Sequence, residues 1–380
     1  SYFTSNYRPI DWKLDFTSGF RWHNVWYMDV EIGVFPGADI KVPWELSRFY
    51  HLPRLALEYK KTKNEGLVKE CVLQITDWII ANPVRYGPNW RVSMEVAIRA
   101  CNWLLAFDMI RSSPNISNRF LIMFTKSLTQ HTQHILSNLE CSKGIQSNNH
   151  YMANLLGLVH LGLSCPWLPG IDNWMPKILS SFKDEIHAQF HNDGVNIECS
   201  SQYHRLTLEM VLHNLLALKK ISANKNFKNK SIIGVIEKIL GDDTLKLIHK
   251  AVLFSKHIQN KNGIVPQFGD NDSGRIFNIV PPESDKDHRH LVSLATCIFP
   301  DVLCDKVNVW NDEAKLFGNV DSNHIPHHNV DSETGFLHYA DGGVSVYKDE
   351  VIFLVIQTHK GYAGHAHNDL FSFEFHVDGI

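Results

Sequence analysis

Between about Trp44 and His257 the apolar residues recur every third or fourth position, whereas after about Thr334 they alternate with polar ones. A period near 3.6 buries one stripe of a helix and a period of 2 buries one face of a strand, so the chain must fold as helices first and strands second. The runs Glu95–Leu105 and Leu206–Leu216 show the helical spacing most clearly. Breaks fall at Asn82-Pro83, Gly87-Pro88, Ser113-Pro114-Asn115, Pro166 to Gly170 and His191-Asn192-Asp193-Gly194. Such punctuation predicts roughly nine or ten helices before residue 300, joined by short loops as a bundle or a ring of hairpins. Gly335–Ala340, Asp341-Gly342-Gly343 and Val344–Tyr347 then read as a hairpin, with further strands at Val351–Gln357 and Leu370–Val377. The expected division is a helical domain over 1–310 and the beginning of an antiparallel β domain over 333–380. The segment between them, about Asn308 to Ser332, is polar and holds Gly318, Pro326 and the cluster His324, His327 and His328. It reads as a solvated loop rather than a metal site.

Charge narrows the partners. With 37 basic against 40 acidic residues the net charge is −3, which gives no global attraction to nucleic acid or to an anionic membrane. No apolar run approaches the roughly 20 residues that cross a bilayer. Ser1–Asn6 has neither the basic start nor the apolar core of a signal peptide, and no initiator Met precedes it. Phe373–Ile380 reads as a strand entering a turn, so the β domain is expected to continue past Ile380. Seven cysteines without paired spacing are expected to be free and mostly buried, a usage that suits the cytoplasm better than an oxidising compartment.

The chemistry concentrates in a few polar clusters. In Ser147-Asn148-Asn149-His150-Tyr151, Asn148 is placed to cap a helix, which puts Asn149 and His150 in its first turn, at the partially positive end that attracts a carboxylate. Capping alone also accounts for an Asn-Asn pair. In Asn196–Arg205, Ser200 or Ser201 caps the next helix and Tyr203 stands near its start, as a packing residue with a wet hydroxyl or as an acid or base. In Gly364–Asp369, His365 and His367 are two residues apart, which on a strand would send both imidazoles to one face. The polar loop Pro266–Arg275 lacks the closing glutamate of an EF-hand. Its carboxylates are expected to pair with Arg275 at the rim of a cleft. Trp22, Trp26, Tyr27, Trp90 and Trp103 offer flat faces for sugar rings, although core packing explains most such residues. No glycine-rich phosphate loop, CxxC pair or HExxH helix is present, and the residue types point to proton transfer on an oxygen-rich substrate.

Taken in order, Asn148–Tyr151, Asn196–Glu198 through Tyr203–Arg205, Gly269–Arg275 and Gly364–Asp369 resemble the heparinase II/III-like polysaccharide lyases, as does Asp39–Arg48. The resemblance covers nearly the whole chain. It implies a mainly α fold, an incomplete (α/α) toroid followed by the start of an antiparallel β-sandwich, and β-elimination on an acidic, uronic-acid-containing polysaccharide such as a glycosaminoglycan, alginate or a bacterial capsule-type polymer. It implies that Asn149, with His150, neutralises the substrate carboxylate. Tyr203 would be the acid at the departing oxygen and His365 a base. Glu198, His204 and Arg205 would support these groups or contact substrate, with Trp90 and Arg275 as further substrate contacts. His367 would ligate a structural zinc whose other ligands lie beyond Ile380, and no organic cofactor is implied. The resemblance also implies the periplasm, against the cytoplasm suggested by the cysteines.

Two other functions remain open on the sequence. A glycoside hydrolase would use paired carboxylates among Glu95, Glu198, Asp270 and Asp272. A non-catalytic carbohydrate-binding or polysaccharide-assembly protein would keep the cleft without turnover.

Overall fold

A computed structural model of the chain describes residues 7–141, 148–227, 229–271, 274–280, 284–299, 301–302, 311–318, 335–358 and 364–378. Eleven α-helices precede residue 300 among these residues: α1 (Lys41–Ser47), α2 (His51–Thr62), α3 (Glu65–Ala81), α4 (Ser93–Ile110), α5 (Asn118–Ser137), α6 (Asn149–Ser164), α7 (Ile171–Gln189), α8 (Ser201–Ser222), α9 (Lys230–Ile239), α10 (Asp242–His257) and α11 (Arg289–Ala295). A twelfth, α12 (Asn311–Gly318), stands inside the stretch expected to be a linker. Four strands follow, β1 (Gly335–Tyr339), β2 (Val344–Lys348), β3 (Ile352–Gln357) and β4 (Phe373–Val377), in one antiparallel sheet of order β1-β2-β3-β4. The mainly α class with a terminal antiparallel sheet therefore stands. His324, His327, His328, Asp272 and Cys304 lie outside the described residues.

Contacts divide the chain into two compact units along a different line from the change of periodicity. One comprises Ser1–Gly144, Ala153–Ile171 and Ile276–Ile279; the other comprises Ile145–Met152, Asp172–Arg275 and Val280–Ile380. The first unit is built on aromatic burial. Trp78, Trp90 and Trp103 are at most 1% exposed, and Trp78 and Trp103 meet edge to face at 5.3 Å. Arg99 lies 3.9 Å over the Trp78 ring, and its Nε donates to His131 Nε2 at 3.0 Å. A cation held against a ring face in the core is stabilised by the ring quadrupole, and burial still pulls this guanidinium down to about 9. Asp77 ties the N-terminal segment to α3 by accepting from Tyr7 Oη, Ile10 N and Trp12 Nε1.

The second unit is organised around α8, which is buried on nearly every side from Ser201 to Leu216. A helix apolar or buried all round belongs at a core rather than on a surface. The sheet lays one face on this unit: Val344, Val346, Phe353 and Val355 form a cluster with Val195, Phe254, Ile258, Val265 and Phe268. Asp193 fixes the β1-β2 turn by accepting from the amides of Asp341 and Gly342. The other face carries Phe336, Phe373 and Phe375, which are 65%, 70% and 51% exposed. Alternation places these residues together, because Phe373 and Phe375 pair with Ile356 and Leu354 of β3.

Candidate active site

Three loops of the second unit bring the polar clusters together. The start of α8 is fixed first: Ser200 Oγ accepts from the amides of Gln202 and Tyr203, and the same hydroxyl donates to the Asp270 carbonyl at 2.7 Å. A serine N-cap satisfies orphan amides of the first turn, and here it also pins that turn to the 269–270 segment. Just before the cap, Asn196 binds back to Gln189 of α7 and its Oδ1 accepts from the Glu198 amide. His204 receives the Asn196 amide on Nδ1 and donates from Nε2 to the Ala251 carbonyl. Burial pulls His204 down to about 4, so its ring is neutral and serves as a strut.

Asn148 caps α6 as expected, with Oδ1 accepting from the Tyr151 amide. Asn149 then faces Glu198: its backbone amide donates to Glu198 Oε1 at 2.8 Å and its Nδ2 to Oε2 at 3.0 Å. A carboxylate at a helix N-terminus gains from the exposed amides and the helix dipole. Burial nevertheless raises the Glu198 carboxyl, opposed by the bonds from Asn149 and by the charges of His365 and His150. Asn149 is 2% exposed, and its amide plane is set by Glu198.

His365 completes the group. Its ring stacks on Tyr203 with centroids 3.6 Å apart and planes 14° from parallel. Its Nε2 lies 3.5 Å from Glu198 Oε2 and its Nδ1 bonds Asp270 Oδ2 at 3.0 Å. His367 Nε2 reaches the other oxygen, Oδ1 of Asp270, at 2.7 Å. The segment is a turn and not a strand, so the two imidazoles meet through a shared carboxylate rather than through alternation. Asp270 and Gly269 are tied back to this turn by Asp270 N donating to the His365 carbonyl and Gly269 N donating to Asp369 Oδ2. The site is thus a continuous contact chain, Asn149, Glu198, His365, Asp270 and His367, with Tyr203 against the central ring. It offers proton-exchanging groups side by side, at the edge of solvent on the side of His365, whose side chain is 31% exposed.

Other expected contacts are interior. Arg275 lies in the interior rather than at a rim: it bonds Glu209 and Glu313, at 3.1 and 2.9 Å, and all three side chains are at most 2% exposed. Arg205 is 1% exposed and donates to the carbonyls of Asp285 and Gly274 rather than to Glu198. Trp90 belongs to the first unit, is 1% exposed and packs against His131 and His134. Neither arginine nor this tryptophan presents a surface to a polymer, because each is enclosed by its own partners. For zinc, His367 donates Nε2–H to Asp270, the arrangement usual for a ligating histidine, which would leave Nδ1 to the metal. That is one ligand of the four a structural zinc needs, and Asp369 Oδ2 is 4.0 Å from it. The described residues therefore do not make up a zinc site. Among them, the grouping that could hold an ion is Glu209, His213 and Glu313, whose two carboxylates are already bonded to Arg275. Sequence reading missed the part of Asp270. The signal for it was Gly269-Asp270, a small residue beside an acid in a polar loop.

A sequence model described as heparinase II/III N-terminus matches residues 2–275. The chain belongs to the heparinase II/III family. Similar curated relatives are a heparin-sulfate lyase of Pedobacter heparinus, 25% identical over 217 residues, and one of Bacteroides stercoris, 23% identical over 235 residues. Each alignment takes in 56% of this chain but only 32% and 34% of the relative, so the chain spans about a third of the length of these heparinase-type relatives. Similar solved structures are a heparinase III, with a TM-score of 0.65 at 15% identity, and a mutant heparan sulfate lyase of Pedobacter heparinus, with 0.58 at 20%. They cover 92% and 93% of this chain and 51% and 50% of their own. At those identities the likeness speaks for the fold.

Proposed function

We propose that this chain forms the site of a polysaccharide lyase that cleaves an acidic, uronic-acid-containing polysaccharide of the glycosaminoglycan kind by β-elimination. The observation that carries the reading is Tyr203 stacked on His365 at 3.6 Å, with Asn149 and Glu198 joined to the same group. The proton on C5 of a uronate is removable only if the neighbouring carboxylate is relieved of charge as the enolate-like state forms. The Asn149 side-chain amide has two N–H groups to share between Glu198 and the substrate carboxylate, and with His150 beside it supplies that relief. His365 Nε2 takes the C5 proton, the electron pair becomes the C4–C5 double bond, and the C4–O bond breaks. Tyr203 gives its phenolic proton to the departing oxygen. For the opposite C5 epimer Tyr203 serves as both base and acid. The relatives named as heparin-sulfate lyases support the polymer class.

The hydrolase alternative needs two carboxyl groups available on either side of a glycosidic bond. Glu95 is 3% exposed and takes two bonds of 2.7 Å from Arg48, so it is an ion-pair residue of the first unit. Glu198 is bound by Asn149, and Asp270 by two histidines. Incubation with a panel of glycosaminoglycans should produce ultraviolet absorbance from the C4–C5 double bond, and Tyr203→Phe should abolish it. New reducing ends without that absorbance would favour hydrolysis; polymer binding unaffected by Tyr203→Phe, with neither product, would favour a binding protein.

A further inference from the structure

We infer that Asp270 is a positioning residue that holds His365 in the one tautomer able to act as base. The inference rests on the lyase reading for its catalytic consequence, and on hydrogen-bond geometry for its structural part. Asp270 and His365 are 95 residues apart and bond each other twice: Asp270 N donates to the His365 carbonyl at 2.8 Å, and His365 Nδ1 lies 3.0 Å from Asp270 Oδ2. Reciprocal bonding of backbone and side chain fixes both the position of the turn and the rotation of the ring. An aspartate is ionised at neutral pH and can only accept, and each of its two oxygens takes one imidazole nitrogen, His365 Nδ1 and His367 Nε2. Nδ1 of His365 therefore carries a proton, and Nε2, 3.5 Å from Glu198 Oε2, is the nitrogen left to exchange one with the substrate. Nε2 is also the nitrogen on the Glu198 and Asn149 side. The Ser200 hydroxyl donates to the Asp270 carbonyl, so one residue registers His365 against the helix start that carries Tyr203.

An amide at 270 would be nearly isosteric but has a single acceptor oxygen for two imidazole donors. In Asp270→Asn the ring bond at Nδ1 is lost or shared, and His365 samples both tautomers. Loss of such an orienting partner typically lowers activity about 10- to 100-fold. A purely structural role would be imitated by Asp369→Asn, which weakens the other tie of the loop by taking the charge from the acceptor of the Gly269 amide, without touching His365.

The test is nitrogen-15 NMR of histidine-labelled protein at a pH where imidazoles are neutral, with His365 assigned by its loss in His365→Gln, alongside kinetics of the variants. Expected are an Nδ1–H tautomer in the unsubstituted protein and in Asp369→Asn, a tautomer mixture in Asp270→Asn, and a kcat about 10- to 100-fold lower in Asp270→Asn with KM nearly unchanged. An Nε2–H tautomer in the unsubstituted protein overturns the inference, and that spectrum decides even if a variant fails to fold. So does an unchanged tautomer in Asp270→Asn, or a fall in kcat no larger than in Asp369→Asn. If no glycosaminoglycan is cleaved, the lyase reading fails by itself, and the tautomer still tests the role of Asp270.

Discussion

Gly269 is the position where a single methyl group should do most harm to the site. Its φ is +66°, and a Cβ there would sit 2.6 Å from the Cys199 carbonyl oxygen, 2.7 Å from that of His365 and 2.7 Å from Ser200 Cβ. An ordinary carbon-to-oxygen contact is about 3.3 Å, so two backbone segments must retreat by roughly 0.6 Å. The left-handed conformation costs alanine about 1–2 kcal/mol and the forced displacement about 1–3 kcal/mol more, or ~2–5 kcal/mol in all. The same displacement separates the turn of His365 from the helix start of Tyr203, and a shift approaching 1 Å at reacting groups costs on the order of 100-fold in rate. Gly263, in the same unit, is a comparison: its φ is +79°, and the atoms nearest an added Cβ belong to the side chain of Arg289, which is 29% exposed and bonded to Asp287, rather than to backbone of the site. Urea unfolding and turnover of Gly269→Ala and Gly263→Ala should therefore diverge. Gly263→Ala should lose the conformational ~1–2 kcal/mol and whatever displacing Arg289 from Asp287 adds, but keep its activity. Equal losses of stability with activity retained in both would refute the packing of the 269–270 segment described above.

Two further outcomes follow from buried charge. Arg275→Met leaves the Glu209 and Glu313 carboxylates, both 0% exposed, without their guanidinium, and should destabilise the second unit by about 3–5 kcal/mol in urea titration; a loss below ~1 kcal/mol would contradict the ion-pair arrangement. His134, His160, His204 and His290 are held down to about 4, chiefly by burial, so the unfolded chain takes up protons first as the pH falls below ~6.5. Their contribution is intact above that value and is lost as the pH drops toward 4, at on the order of 1 kcal/mol per histidine per pH unit. A denaturation midpoint that stays flat from pH 7 to 5 would argue against it.

Much of the architecture could be read from the chain because periodicity is a local property. The hairpin around Asp341-Gly342-Gly343 and the helix starts at Asn148 and Ser200 needed only neighbouring residues. What could not be read depends on residues far apart in sequence. Arg275 pairs with Glu209, 66 residues away, and Glu313, 38 away, partners that its own loop does not announce. The convergence of His365 and His367 on Asp270 depends on a turn that spacing alone presents as a strand. A tryptophan such as Trp90 reads alike whether it faces a sugar or the core. The helix α12 was hidden by polar composition, since its burial comes from Ala314 and Glu313, one small residue and one ion-paired acid.

The most direct measurement of the central claim is the mass of the fragments released from a defined glycosaminoglycan oligosaccharide. β-Elimination transfers a proton and breaks a bond without consuming water, so the fragment carrying the new, unsaturated non-reducing end should be one water lighter than its hydrolytic counterpart, and Tyr203→Phe should yield none of it. Fragments of full hydrolytic mass, or unsaturated fragments formed as readily by Tyr203→Phe, would contradict the assignment of this site.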